Sequence, residues 1–213
     1  MKQMKLLAID TSTDYLSIAI LDGEGTIERV HRKAERSHSS LLIPTIDRLL
    51  KKARLKLKDI DGFCISIGPG SFTGLRIGVV TLKGLAYALK KRIVAVPTLD
   101  VIAHNIKNFN GIICPVLDAK KGKVYACLYR SGDEGIKRIS KYLLLPVSEL
   151  SEKLKGIKEK IVLLGDAVGG DWHPRAEILG RIGLEYFKKR KFTAPEDLEP
   201  LYLYSRECDV TGR

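Results

Sequence analysis

Apolar residues fall first in short runs and then at helical spacing, and the change of period marks the elements. Residues 5–10 are apolar up to a terminal Asp10. Residues 16–21 are apolar with β-branched Ile18 and Ile20, and 26–33 alternate more weakly. These stretches predict a meander of three strands. Over residues 37–54 the period lengthens. Leu42, Ile46, Leu49, Leu50 and Ala53 recur at helical spacing, with Ser37 as a candidate cap. Residues 62–67 predict a short buried strand, 71–90 a second helix and 93–96 another strand, in the order βββαβαβ.

The pattern then begins again. Residues 112–117 predict a strand ending in Asp118, and 124–129 and 136–145 predict two more. Residues 148–154 predict a short helix, 161–164 a strand and 176–189 a helix. Asp10 and Asp118 lie 118 − 10 = 108 positions apart, and at that offset residues 16–20 fall on 124–128. Duplication of one design is expected, with an N-terminal lobe over 1–100 and a smaller C-terminal lobe over 101–213.

Composition narrows the class. The chain has 213 residues, of which 45% are hydrophobic and 29% charged, as in ordinary globular proteins. Its N-terminal apolar stretch meets Asp10 after four residues, too early for a signal peptide. No apolar run approaches the roughly 20 residues of a membrane span, so a cytoplasmic protein with no membrane contact is expected. Cys64, Cys114 and Cys127 sit in strand-like runs and Cys208 near the C-terminus. None forms a CxxC pair, so they are read as small buried side chains. The formal net charge of +12 has two readings. One is attraction to RNA phosphates. The other is the lysine-rich surface of a heat-adapted protein, which fits a chain with three Asn and one Gln. Basic residues come in pairs (Lys51-Lys52, Lys90-Lys91, Lys120-Lys121, Lys188-Lys189) without aromatics between them.

The most informative segment is Gly68-Pro69-Gly70-Ser71-Phe72-Thr73-Gly74-Leu75-Arg76-Ile77-Gly78, at a strand-to-helix junction. Glycines there permit tight backbone turns, Ser71 or Thr73 can cap the helix, and such a turn can hold an anion. It lacks the GxxxxGK[ST] pattern of a P-loop. Four further blocks accompany it in order: residues 7–12, 97–99, 117–125 and 199–203. With these blocks the chain resembles the TsaB (YeaZ) family over nearly its whole length. The resemblance implies an α/β fold of two actin-like lobes, shared with sugar kinases and chaperone ATPases, each lobe a βββαβα unit. It implies a non-catalytic subunit of the bacterial complex that forms N6-threonylcarbamoyladenosine beside the tRNA anticodon. Its implied partners are a TsaD-like catalytic paralogue and a TsaE-like ATPase. A homodimer is expected when the chain is alone, and contact with tRNA through the complex.

Two readings of the acidic pair stay open. Asp10 and Asp118, with Gly68 and Gly70, would form a vestigial nucleotide cleft, with at most weak ATP or ADP binding and no Mg²⁺ expected in isolation. Otherwise Asp10 and Asp118 are turn residues bonded to local backbone. Catalytic paralogues carry a His-x-x-x-His metal pair, and the corresponding residues 99–110 offer only His104. No HExxH or GxSxG occurs. No catalytic residue and no metal site are therefore expected. The alternative function is an ATP-using phosphotransferase or ATPase centred on Asp10 and Asp118.

The stretch 72–89 is apolar nearly all round, which calls for cover on more than one side. Either the helix over 37–54 supplies all of it, or another protein does. Gly74, Gly78 and Gly84 each weaken this helix by about 1 kcal/mol against Ala and suggest close approach of another helix. The residues expected to face outward, and to make an interface, are Leu41, Thr45, Arg48, Arg76, Val80 and Lys83. Residues 205–213 receive no role.

Overall fold

The computed structural model describes residues 3–34, 37–166, 168–169 and 172–203. The first sheet is built from β1 (Lys5–Asp10), β2 (Tyr15–Asp22), β3 (Gly25–Lys33), β4 (Gly62–Ser66) and β5 (Arg92–Val96), in the order β3-β2-β1-β4-β5. The meander is antiparallel, and β4 and β5 add in parallel. Successive side chains of a strand point to opposite faces. Leu7 and Ile9 therefore meet α1 (His38–Lys52) and α2 (Phe72–Leu89), while Leu6 and Ala8 meet α5 (Ala176–Lys188). Burial on both faces explains why β1 reads as an unbroken apolar run.

The second sheet comprises β6 (Gly111–Asp118), β7 (Lys123–Ala126), β8 (Tyr129–Gly132), β9 (Gly135–Arg138), β10 (Leu143–Pro146) and β11 (Ile161–Leu164). β7 and β8 lie along β6 in a single register, with Val116 opposite Ala126 and Ile113 opposite Tyr129. They are the one strand expected at 124–129, broken opposite Pro115, which has no N–H for the ladder. The strand expected at 136–145 is likewise split into β9 and β10. There the Leu128 amide donates to Ser140 Oγ (2.9 Å) instead of a ladder carbonyl. The path β9/β10, β7/β8, β6, β11 repeats β3, β2, β1, β4. α3 (Thr98–Ala103) covers one face with Leu99 and Ile102, and α4 (Val147–Lys155) covers the other with Leu150. The fold is thus the two-lobed actin-like α/β fold, but the second lobe repeats only the βββαβ part of the expected βββαβα unit, because α5 packs on the first sheet.

Three expectations change. Asp10 pairs with Ser17 and Asp118 with Val124, so the second hairpin is one residue shorter. The offset of 108 holds for β1 and β6 but becomes 124 − 17 = 107 one strand later, and a one-residue slip reverses the facing of every side chain. Second, the chain after 175 leaves the second lobe. α5 packs on the first sheet, Thr193 bridges Ile93 on edge strand β5, Leu198 enters the first core and the Leu201 amide donates to Ile67 O (2.7 Å). The second sheet already has α3 and α4 on its faces, whereas Leu6, Ala8, Leu21 and Cys64 need α5 to exclude water. A single cut at residue 100 therefore misplaces 176–203. Third, Ser37 makes no side-chain cap bond; its carbonyl accepts from Ser40 Oγ at 3.1 Å.

Candidate functional site

β1 delivers Asp10 to the first turn, and the Gly-rich segment closes over that turn. Asp10 is wholly buried. Its Oδ1 accepts from the Ser12 amide (3.0 Å) and Ser12 Oγ (2.9 Å). Its Oδ2, Ser66 Oγ and Thr11 Oγ1 are buried without a hydrogen-bond partner among the described residues. Burial pushes the carboxyl up to about 6, partly offset by the nearby Ser66 hydroxyl, which makes no hydrogen bond of good geometry, and by the two bonds from Ser12. The seal over it is tight. The Ser71 amide donates to Ser12 O at 2.7 Å. A Cβ at Gly70 would sit 2.2 Å from Ser12 O, and one at Gly74 2.1 Å from Thr11 O. These glycines exist so that backbone can touch backbone. Ser71 Oγ then caps α2 by accepting from the Gly74 amide at 3.2 Å.

Gly68 is also committed to packing. It adopts φ +109°, its amide donates to Thr98 Oγ1 (3.1 Å), and its carbonyl accepts from the Thr98 amide (2.7 Å). Asp10 is thus sealed behind Ser12 and the Gly-rich segment. An open cavity of about 380 Å³ beside the α2 N-terminus is lined by Thr13, Asp14, His38, Ser71 and Thr73 among others, and by neither Asp10 nor Asp118.

The second hairpin keeps the same turn in the open. Asp118 Oδ1 accepts from the Lys120 amide at 2.8 Å, as Asp10 Oδ1 does from Ser12, and Oδ2 pairs with Lys120 Nζ at 2.6 Å. That pairing holds the Asp118 carboxyl below its ordinary range. Both acids are residues of the same local turn, so an ATP-using centre at Asp10 and Asp118 finds no support in the geometry. His104 ends α3, with Nδ1 2.7 Å from Asp100 O. Among the described residues no three His, Cys, Asp or Glu side chains gather as a metal site.

α2 divides cleanly into two sides. Gly74, Leu75, Gly78, Val79, Leu82 and Ala86 are buried against β4, α1 and the first turn. Phe72, Arg76, Val80, Lys83 and Tyr87 recur at helical spacing on the other side. Phe72 is 53% exposed, Val80 68% and Tyr87 82%. Arg76 lies over the Phe72 ring (3.7 Å) and donates to Tyr202 Oη (3.1 Å), while Lys83 reaches Glu196 O (3.3 Å). By length and composition alone α2 is the one described helix that could cross a membrane, yet its inner side belongs to the core. On α1, Arg48 is exposed and Leu41 half-buried against the core. Thr45 is fully buried, which removes it from the expected outward set. It shares the inward side with Leu42, Ile46 and Leu49, and Ile43, 51% exposed, faces out instead. Phe72, Tyr87 and Ile43 were missed, although the 72/76/80/83/87 spacing carries the signal. Gly74 and Gly78 serve contact with the first turn, not with another helix, and Gly84 faces open space.

A two-lobed actin-like protein with a closed first turn and an uncovered apolar stripe on α2 is the class these features define. A family model described as TsaD, tRNA N6-adenosine threonylcarbamoyltransferase, matches residues 29–165. The tRNA threonylcarbamoyladenosine biosynthesis protein TsaB of Bacillus subtilis is 30% identical over 98% of this chain and 91% of its own length. That of Escherichia coli is 31% identical over 94% of each. The solved structure of YeaZ from Pseudomonas aeruginosa superposes with a TM-score of 0.81 at 24% identity, covering 94% of this chain and all of that one. The chain belongs to the TsaB family and is a protein of tRNA threonylcarbamoyladenosine biosynthesis. It also matches the transferase of Persephonella marina at 32% identity, over half of this chain and 35% of that enzyme.

Proposed function

We propose that the chain is a non-catalytic subunit that binds and activates a TsaD-like transferase through the outward side of α2, with α1 beside it. The observation that carries this is the exposed stripe of Phe72, Val80 and Tyr87 on a helix whose inner side is already fixed. Large apolar side chains exposed together on one face mark an interaction surface. Sealing of Asp10 and the local role of His104 support the absence of chemistry in this subunit. In this reading a TsaE-like ATPase joins the pair, tRNA is engaged by the assembled complex in the cytoplasm, and the same face forms a homodimer when the chain is alone. One face serving both states makes them mutually exclusive.

Val80→Glu tests this. Val80 touches solvent, so the thermal melt should stay within a few degrees of wild type. An unpaired charge buried at the contact costs several kcal/mol and enters a symmetric dimer twice. Sedimentation should show the variant monomeric and unable to bind the transferase, and threonylcarbamoyl transfer in the reconstituted system should fall to the level without this subunit. A folded variant that still forms both complexes refutes the reading.

A further inference from the structure

The basic pairs that stand far apart in the sequence meet in the fold. α2 and α5 lie on opposite faces of the first sheet and end at the same corner of it. Each helix is succeeded by a basic residue in the left-handed region, Lys90 at φ +51° and Arg190 at φ +54°. The two chain segments then join, because the Thr193 amide donates to Ile93 O at 2.9 Å across the edge of β5. Lys90, Lys91 and Arg92 are thereby set beside Lys188, Lys189, Arg190 and Lys191. Aromatics come with them. Arg92 lies over the ring of Phe192 (5.5 Å), itself 37% exposed, and Lys191 lies over Tyr186 (5.6 Å).

What sets this corner apart is that its charges are clustered and few of them are ion-paired. Several lysines elsewhere sit one helical turn or one hairpin step from an acid, as Lys51 with Asp47, Lys153 with Glu149, Lys155 with Glu152 and Lys137 with Glu134. At the corner only Lys188 is paired, with Glu185 and Glu24. Lys90, Lys91, Arg92, Lys189, Arg190 and Lys191 make no salt bridge among the described residues, although Lys189 lies within electrostatic reach of Glu185. Six such cations equal half the formal net charge of +12. Cations at a helix C-terminus complement its dipole, which accounts for Lys90, Lys188 and Lys189. Lys91, Arg92, Arg190 and Lys191 lie beyond the last turns and are left without that explanation.

Concentrated positive charge with an exposed ring, Phe192, among it suits a polyanion whose bases can stack, and sequence-independent contact with phosphates. We propose that this corner binds the phosphate backbone of RNA, with Phe192 as a stacking surface. The proposal rests on the chain's place in tRNA modification and uses a surface distinct from the outward side of α2. It gives the chain a direct contact with tRNA in addition to any made by its partners.

The test uses the full chain, an unmodified tRNA transcript as probe, and fluorescence anisotropy between about 50 and 200 mM salt. The variant Arg92→Gln/Lys189→Gln/Lys191→Gln removes three corner charges. The control Lys137→Gln/Lys153→Gln/Lys155→Gln removes three elsewhere, so both have the same net charge. The corner variant should bind at least about tenfold more weakly, and its log K against log salt slope should shrink by about 2 to 3. The control should stay near wild type, and both should keep the wild-type melt. Equal losses in the two variants, or no loss in either, overturn the proposal. Unchanged tRNA binding with loss of the TsaE-like or TsaD-like partner also overturns it, and assigns the corner to an acidic protein surface. Failure of Val80→Glu to break the transferase complex would leave this result unaffected, so the two proposals fail separately.

Discussion

The two Asp hairpins carry the same turn and have met opposite fates. In the first, Asp10 is sealed under the Gly-rich segment, its carboxyl raised to about 6 by burial. In the second, Asp118 stands in water against Lys120. The difference lies in the segment that leaves the inner parallel strand. β4 runs into a Gly-rich turn and then α2, which folds back against residues 11–12. β11 runs instead toward α5, which leaves for the other sheet. Closing the first turn fixes the inner side of α2, and that leaves its outer side as the rigid, uncovered surface proposed to dock the transferase.

The largest effect should come from prising the first turn open. In Gly74→Ala the new Cβ would meet Thr11 O at 2.1 Å, where backbone rather than a flexible side chain must move. A loss of about 3 kcal/mol, the upper end for overpacking, is expected in urea unfolding. Gly122→Ala in the open hairpin has nothing within 4 Å and bears only the left-handed backbone at φ +71°, for about 1 kcal/mol. Equal costs would remove the distinction between the turns.

Next comes pH. Asp10 holds its proton more tightly folded than unfolded, so between about pH 4 and 6 the folded state binds more protons. Stability must therefore fall as pH rises through that window, by up to about 3 kcal/mol, and stay lowered above it. Asp10→Asn should flatten this part of the profile and be the more stable protein at pH 8. A wild-type slope retained by the variant would contradict the sealed state of Asp10. The smallest effect belongs to Asp118, whose depressed carboxyl contributes above its unfolded range and loses that contribution in acid. Its partner is exposed, so Asp118→Asn should cost less than about 1 kcal/mol at neutral pH.

Much of this was legible in the residues. Unbroken apolar β1 announced a strand buried on both faces, and the excess of apolar positions in 72–89 announced a helix wanted on two sides. Val80 was correctly turned outward. Thr45 was not: it was set off the core stripe, yet it lies one turn before Leu49, on the same side, and is fully buried, with Arg48 donating to its hydroxyl. The role of Gly70 and Gly74 was hidden because their partner is a backbone turn some sixty residues earlier, which leaves no mark in local spacing. The home of α5 was hidden for a similar reason. Its amphipathic side needs an apolar sheet, and the sequence does not say which of the two. Convergence of the basic pairs depends on that choice, so it too appears only in the fold.

The central claim is that the outer side of α2 meets the TsaD-like enzyme, and photocrosslinking tests it most directly. Tyr87→p-benzoylphenylalanine places the probe on a side chain 82% exposed and without a core role, and Ile139→p-benzoylphenylalanine places it on the second lobe at a residue 44% exposed. Irradiated with the transferase, the first should give a crosslinked heterodimer and the second none. Crosslinking from position 139 with none from 87 would contradict the claim and move the interface to the other lobe.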